Sequence, residues 1–132
     1  MIEVNNKIRT KINERLVEKV AVKFLDYYKI KNKSVSIAFV GDATMTRLNR
    51  EYRKKNKATD ILSFAGEGSE LGELIIDYAQ IKRQALKYSK TVEDELVFIL
   101  VHGLLHLLGY DDETEKGRLR MIELGEKFIK KL

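Results

Sequence analysis

Apolar residues at Ile8, Ile12, Leu16, Val20 and Phe24 recur every four positions, the spacing of one helix face, and predict an amphipathic helix over about 8–28. Val35, Ile37 and Phe39 instead alternate with Ser34, Ser36 and Ala38, the two-residue period of a half-buried strand. Ahead of both, Ile2 to Val4 marks a short first strand. Gly41-Asp42 makes a turn, with Asp42 or Thr44 placed to cap a helix through Met45, Leu48, Asn49 and Tyr52.

The apolar run Ile61-Leu62-Ser63-Phe64-Ala65 reads as a strand, and another follows from about Leu71 to Ile76. The glycine-containing loop Gly66-Glu67-Gly68-Ser69-Glu70 between them suits a hairpin. Tyr78, Ile81, Ala85 and Tyr88 mark the next helix, and Thr91 with Asp94 three residues on starts another in the manner of a capping box. Gly109 closes that helix at the position after the cap, and a last helix from about Glu113 has Leu119, Ile122 and Phe128 as its inner stripe. The fold class expected is α+β: a small mixed sheet of about four strands packed with about five helices, forming a single domain over 1–132.

Composition narrows the chemistry. The chain has no cysteine, which excludes disulfides, thiolate metal sites and cysteine nucleophiles, so any metal must use nitrogen and oxygen ligands. No basic and apolar leader opens the chain, and no run approaches the ~18 apolar residues of a membrane span; a soluble cytoplasmic protein with no membrane partner is expected. The net charge of +5 is unevenly spread. Between Arg47 and Lys57, six basic side chains (Arg47, Arg50, Arg53, Lys54, Lys55, Lys57) face one acid, Glu51. A solvated helix face is one reading of that run, and an anion-binding segment is the other.

The two histidines of the chain, His102 and His106, lie four residues apart in an apolar stretch. On a helix that spacing stacks their side chains on one face, where two imidazoles can converge on one ion. A pair of core histidines is the plain alternative. A catalytic ion needs three protein ligands and one open position, and Gly109, free to adopt positive φ, lets the chain reverse and bring Asp112 back to the helix face. The resulting H-x-x-x-H-x-x-G-x-x-D is close to the extended zinc-protease signature, but position 103 is glycine where those proteases carry their general-base glutamate. Peptide hydrolysis is therefore disfavoured.

Three ordered blocks resemble the YbeY family of bacterial endoribonucleases. Leu48-Asn49-Arg50-Glu51-Tyr52-Arg53-Lys54-Lys55 with Thr59-Asp60-Ile61-Leu62-Ser63-Phe64 is similar to one family block, Leu71-Gly72-Glu73-Leu74-Ile75-Ile76 to its intervening strand, and His102 through Asp112 to its H-G-x-L-H-L-x-G-Y-D-H motif. The match runs over about two-thirds of the chain. It implies a single-strand-specific metallo-endoribonuclease acting in 16S ribosomal RNA 3′-end maturation and ribosome quality control. One divalent ion, zinc as a rule, would be its cofactor, and RNA with a ribosomal subunit or ribosomal protein its partners. The alternatives are a metal-dependent hydrolase of another bond and a non-catalytic ribosome assembly factor with a structural metal.

The same resemblance implies metal ligands at His102, His106 and Asp112, with Asp111 the competing third ligand. Aspartate stands where the family has histidine, which removes one unit of charge from the metal site and shifts its preference toward harder cations. The family's arginine maps onto Arg53, whose fork suits a phosphodiester, although a partner acid on the next helix would give it a structural role. Arg50, Lys54, Lys55 and Lys57 would then track the RNA backbone and Tyr52 would stack on a base. Asp60 and Ser63 are expected to fix the start of their strand rather than to do chemistry, and Asp111 and Glu113 are the nearest candidates for a general base. Ala58 and Ala65 occupy places where the family block carries proline.

Overall fold

The computed structural model describes residues 1–132. Its elements are β1 (Ile2–Asn6), α1 (Glu14–Tyr27), β2 (Ser34–Val40), α2 (Asp42–Arg53), β3 (Ile61–Ala65), β4 (Glu70–Asp77), α3 (Tyr78–Lys87), α4 (Val92–Leu107) and α5 (Glu115–Ile129). The sheet order is β1-β2-β4-β3, with β1, β2 and β4 parallel and β3 antiparallel to β4 as the expected hairpin. No helix is long and apolar enough to cross a membrane.

Strand alternation divides the apolar side chains between two faces. Val35, Ile37 and Phe39 of β2, Leu74 and Ile76 of β4 and Ile61 of β3 join the main core with α1, α4 and α5. Val40 and Leu62 point the other way and pack with Met45 of α2 in a smaller cluster. α4 is the hub: it packs against α1, α3, α5, β3 and β4. Leu96, Ile99, Leu100, Val101, Leu104, Leu105 and Leu107 are all buried. Each such side chain contributes about 1.5–3 kcal/mol of transfer free energy, so the helix that carries both histidines is among the most firmly anchored parts of the molecule.

Three local expectations are corrected. α1 starts at Glu14 rather than Ile8, because Asn6 takes over the intervening backbone: its Oδ1 accepts from the Ile8 N–H at 3.0 Å and its Nδ2 donates to the Thr10 carbonyl at 2.9 Å. That local turn competes with helix, and Asn13 then caps α1 by accepting from the Leu16 N–H. Neither Asp42 nor Thr44 caps α2; Gly41 occupies the cap without a side-chain bond, and Asp42 forms a two-bond pair with Arg83 at 2.8 and 3.1 Å. α5 starts at Glu115 after a Thr114 cap and buries Met121, Gly125 and Phe128, whereas Leu119 is 52% exposed. Its inner face is rotated from the one periodicity suggested because the neighbours it covers are residues of α1 and α4, with Phe24 edge-on to Phe128.

Asp77 ends β4 and caps α3, its Oδ1 accepting from the Gln80 N–H at 3.3 Å, while its buried Oδ2 has no partner. Burial, reinforced by the neighbouring Asp42 carboxylate, pushes Asp77 up to about 7, and the Arg83 pairing holds Asp42 down to about 2. A carboxyl whose folded pKa is raised stabilises the fold at low pH and loses that contribution as pH climbs from about 4 to about 7. Asp77→Asn, which keeps a good cap, is expected to match the wild type near pH 4 and to exceed it near pH 8 by on the order of 1–3 kcal/mol. Urea midpoints at the two pH values check this, and equal midpoints at both would contradict it.

Candidate metal centre

The site is built by the way α4 ends. Leu108 is the cap and Gly109 follows at φ +101°, so that the Gly109 N–H donates to the His106 carbonyl at 3.0 Å and the Tyr110 N–H to the Leu105 carbonyl at 3.2 Å. Those two bonds are the Schellman pattern. The reversal brings the Tyr110 carbonyl onto His106 Nδ1 at 3.0 Å, which places the ring proton on Nδ1 and leaves the Nε2 lone pair facing the cleft. Asp112, two residues further, meets the two imidazoles.

His102 Nε2 lies 3.2 Å from His106 Nε2 and 3.2 Å from Asp112 Oδ2, and His106 Nε2 lies 3.6 Å from the same oxygen. Donors 2.0–2.1 Å from a tetrahedral ion are separated by about 3.3 Å, so this triangle has the size of a zinc site's ligand face. His102, His106 and Asp112 together could hold a metal ion. Asp111 is occupied elsewhere, its Oδ1 accepting from the Glu113 N–H at 3.2 Å, which leaves Asp112 as the carboxylate of the set. Burial, then repulsion from His106, lowers the pKa of His102 and keeps it a neutral imidazole, the form that ligates a metal. Burial alone would raise Asp112, but the two imidazoles outweigh it and hold the carboxyl below its usual value.

The ligand triangle opens into a cleft of about 770 Å³ whose walls include Tyr52, Arg53, Asp60, Ser63, Phe64, Phe98, Arg118 and Ile122. Arg53, at the last turn of α2, makes no ion pair, so the structural alternative of a partner acid on the next helix does not hold. The exposed Tyr52 ring stands edge-on to Phe64 at 5.0 Å. Arg50, Lys54, Lys55 and Lys57 are not on the cleft walls. α2 ends before Lys54, which is left-handed at φ 57°, and the exposed segment beyond it is tied back by buried Asn49 donating to the Lys57 carbonyl and by Arg50 donating to Asn56. The basic run is thus a helix end and a loop, not one solvated helix face.

Two cleft residues have more exposure to the chemistry than sequence suggested. Asp60, expected only to start its strand, lines the cleft, and its Oδ2 accepts from Gln84 Nε2 at 3.3 Å. The same amide donates at 2.8 Å to Glu95, which is buried and paired with Lys90 at 2.8 Å. Arg118 of α5 gave no signal in the sequence, since nothing local relates it to the histidines sixteen and twelve residues upstream. Asp111 and Glu113, the candidates for a general base, are absent from the cleft walls. Gly103 packs on the sheet: a Cβ there would lie 2.4 Å from Ile61 Cδ1 and 3.1 Å from Leu74 Cδ2, so no glutamate fits where the proteases carry theirs.

Fold and site together define an α+β protein with a candidate two-histidine, one-carboxylate metal centre set on its buried central helix. The family described as Endoribonuclease YbeY matches residues 2–132, and this chain belongs to that family. Similar proteins named Endoribonuclease YbeY include one from Solibacter usitatus, 46% identical over 63% of this chain and 56% of its own length. One from Myxococcus xanthus is 40% identical over 87% of this chain and 42% of its own. One from Nautilia profundicola is 40% identical over 80% and 77%. This chain therefore spans about half the length of the first two. The solution structure of a Thermotoga maritima protein superposes with a TM-score of 0.69 at 26% identity, covering 98% of this chain and 87% of that one.

Proposed function

We propose that this chain is a metal-dependent endoribonuclease that cuts single-stranded RNA, with 16S ribosomal RNA 3′-end maturation and ribosome quality control in the cytoplasm as its setting. The observation that carries the reading is one cleft holding both the His102–His106–Asp112 triangle and the unpaired Arg53 beside the exposed Tyr52. A divalent ion held by the two Nε2 atoms and the Asp112 carboxylate would supply Lewis acidity toward a phosphoryl oxygen and would acidify water. Zinc suits this donor set, two imidazoles and a carboxylate being a catalytic zinc combination.

Arg53 binds two oxygens of the scissile phosphate and stabilises the extra charge of the transition state, a role for which a planar fork is better than an ammonium. Tyr52 stacks on a base and so favours unpaired strands, whose bases are free to splay out. Asp60, the cleft carboxylate outside the ligand set and bonded to Gln84, accepts the proton of the substrate 2′-hydroxyl as that oxygen bonds to phosphorus, and the departing 5′-oxygen takes a proton from water as its bond to phosphorus breaks. Arg50, Lys54, Lys55 and Lys57 form a basic approach beside the cleft that adds salt-sensitive affinity without reading sequence. Ribosomal subunits or a ribosomal protein are the partners this reading requires.

The experiment is cleavage of a single-stranded RNA oligomer by zinc-loaded protein, with Arg53→Glu beside it. Loss of roughly 100-fold or more in kcat/KM is expected for the variant, in the range of removing one positioned transition-state donor. An inactive wild type carrying stoichiometric zinc, or undiminished cleavage by the variant, overturns the assignment.

A further inference from the structure

The cleft holds a second arginine that the reaction above does not use. Arg118 lies in the first turn of α5, and Ile122, four residues on along the same helix face, lines the cleft with it. Its placement is enforced by Gly117. A Cβ at that position would meet the Asp111 carbonyl oxygen at 2.6 Å and Thr114 Oγ1 at 3.1 Å, so only glycine lets the start of α5 lie directly on the loop that carries Asp112. Arg118, exposed on that first turn, thereby lines the same cleft as Asp112, from α5 where Arg53 does so from α2.

Arg118 makes no ion pair with either carboxylate of the cleft, Asp60 or Asp112. Arg53 is unpaired as well. Two free guanidinium forks from separate helices, with the reacting centre in the same cleft, match the repeating anion of a nucleic-acid backbone better than a single phosphate.

We propose that Arg118 binds a phosphate flanking the one held by Arg53, so that the site selects a polynucleotide over a dinucleotide. The proposal rests on the endoribonuclease reading and adds to it a determinant of substrate length. Arg120, two residues away, supplies an internal control: it lies outside the cleft and faces Glu123 at 3.8 Å.

The test compares wild type, Arg118→Ala, Arg118→Lys and Arg120→Ala on a single-stranded RNA oligomer and on a dinucleoside monophosphate, which has no flanking phosphate. Arg118→Ala is expected to raise KM for the oligomer about tenfold with kcat unchanged and to leave the dinucleotide reaction alone. It should also reduce the dependence of log K on log salt by about 0.7, one phosphate contact on a single strand. Arg118→Lys recovers part of the affinity as a point charge, and Arg120→Ala matches the wild type. Unchanged KM and salt slope in Arg118→Ala overturn the proposal, as does an equal loss on both substrates, which would put Arg118 on the scissile phosphate. A wild type that neither binds nor cuts RNA instead overturns the endoribonuclease reading itself.

Discussion

His106→Ala is expected to abolish both metal retention and RNA cleavage in a protein that still folds. The substitution removes one of three ligand atoms and, with it, the bond from Nδ1 to the Tyr110 carbonyl that ties the α4 terminus to the ligand loop. Losing only an outer partner of a metal ligand typically costs 10–100-fold in metal affinity or activity, so losing the ligand itself should exceed that range. The fold should tolerate the change: the side chain is 25% exposed at the cleft, and the hydrogen bond given up is worth about 0.5–1.5 kcal/mol. Elemental analysis and oligomer cleavage on the same preparation read both quantities. Stoichiometric metal with full cleavage in His106→Ala would refute the site.

The second large effect is on stability. Gly103→Glu, which would recreate the protease-type H-E-x-x-H pattern, is expected to destabilise the protein by about 4 kcal/mol or more and to confer no peptidase activity. The new side chain would have to pass through Ile61 and Leu74 at the contact between α4 and the sheet, and its charge would have no partner there. Gly103→Ala separates steric from electrostatic cost. Its methyl group displaces the flexible ends of Ile61 and, less, of Leu74, at about 1–3 kcal/mol of overpacking, offset by the ~1 kcal/mol that alanine gains over glycine in a helix. Urea denaturation of both variants decides the matter, and a wild-type midpoint for Gly103→Glu would mean that α4 does not pack on the sheet as described.

The glycine at 103 shows how sequence and structure divide the explanation. The sequence says that a general-base glutamate is missing; the contact with β3 and β4 says that none could be accommodated. Asp60 illustrates the converse. Its position at the start of a strand was readable, but the cleft it faces is assembled from α2, β3, α4 and α5, which approach one another only through packing.

What the sequence determined by itself is whatever depends on bonds within a few residues. The alternation of β2, the Thr91 cap of α4, the i, i+4 placement of His102 and His106 and the reversal at Gly109 all rest on backbone periodicity or on a side chain reaching its own turn. Tertiary structure decided which of six basic residues enters the cleft, that Asp60 and Arg118 join it there, and which face α5 buries. Those outcomes depend on distances between segments far apart in the chain. They are fixed by how large buried surfaces interlock, a quantity that no local spacing encodes.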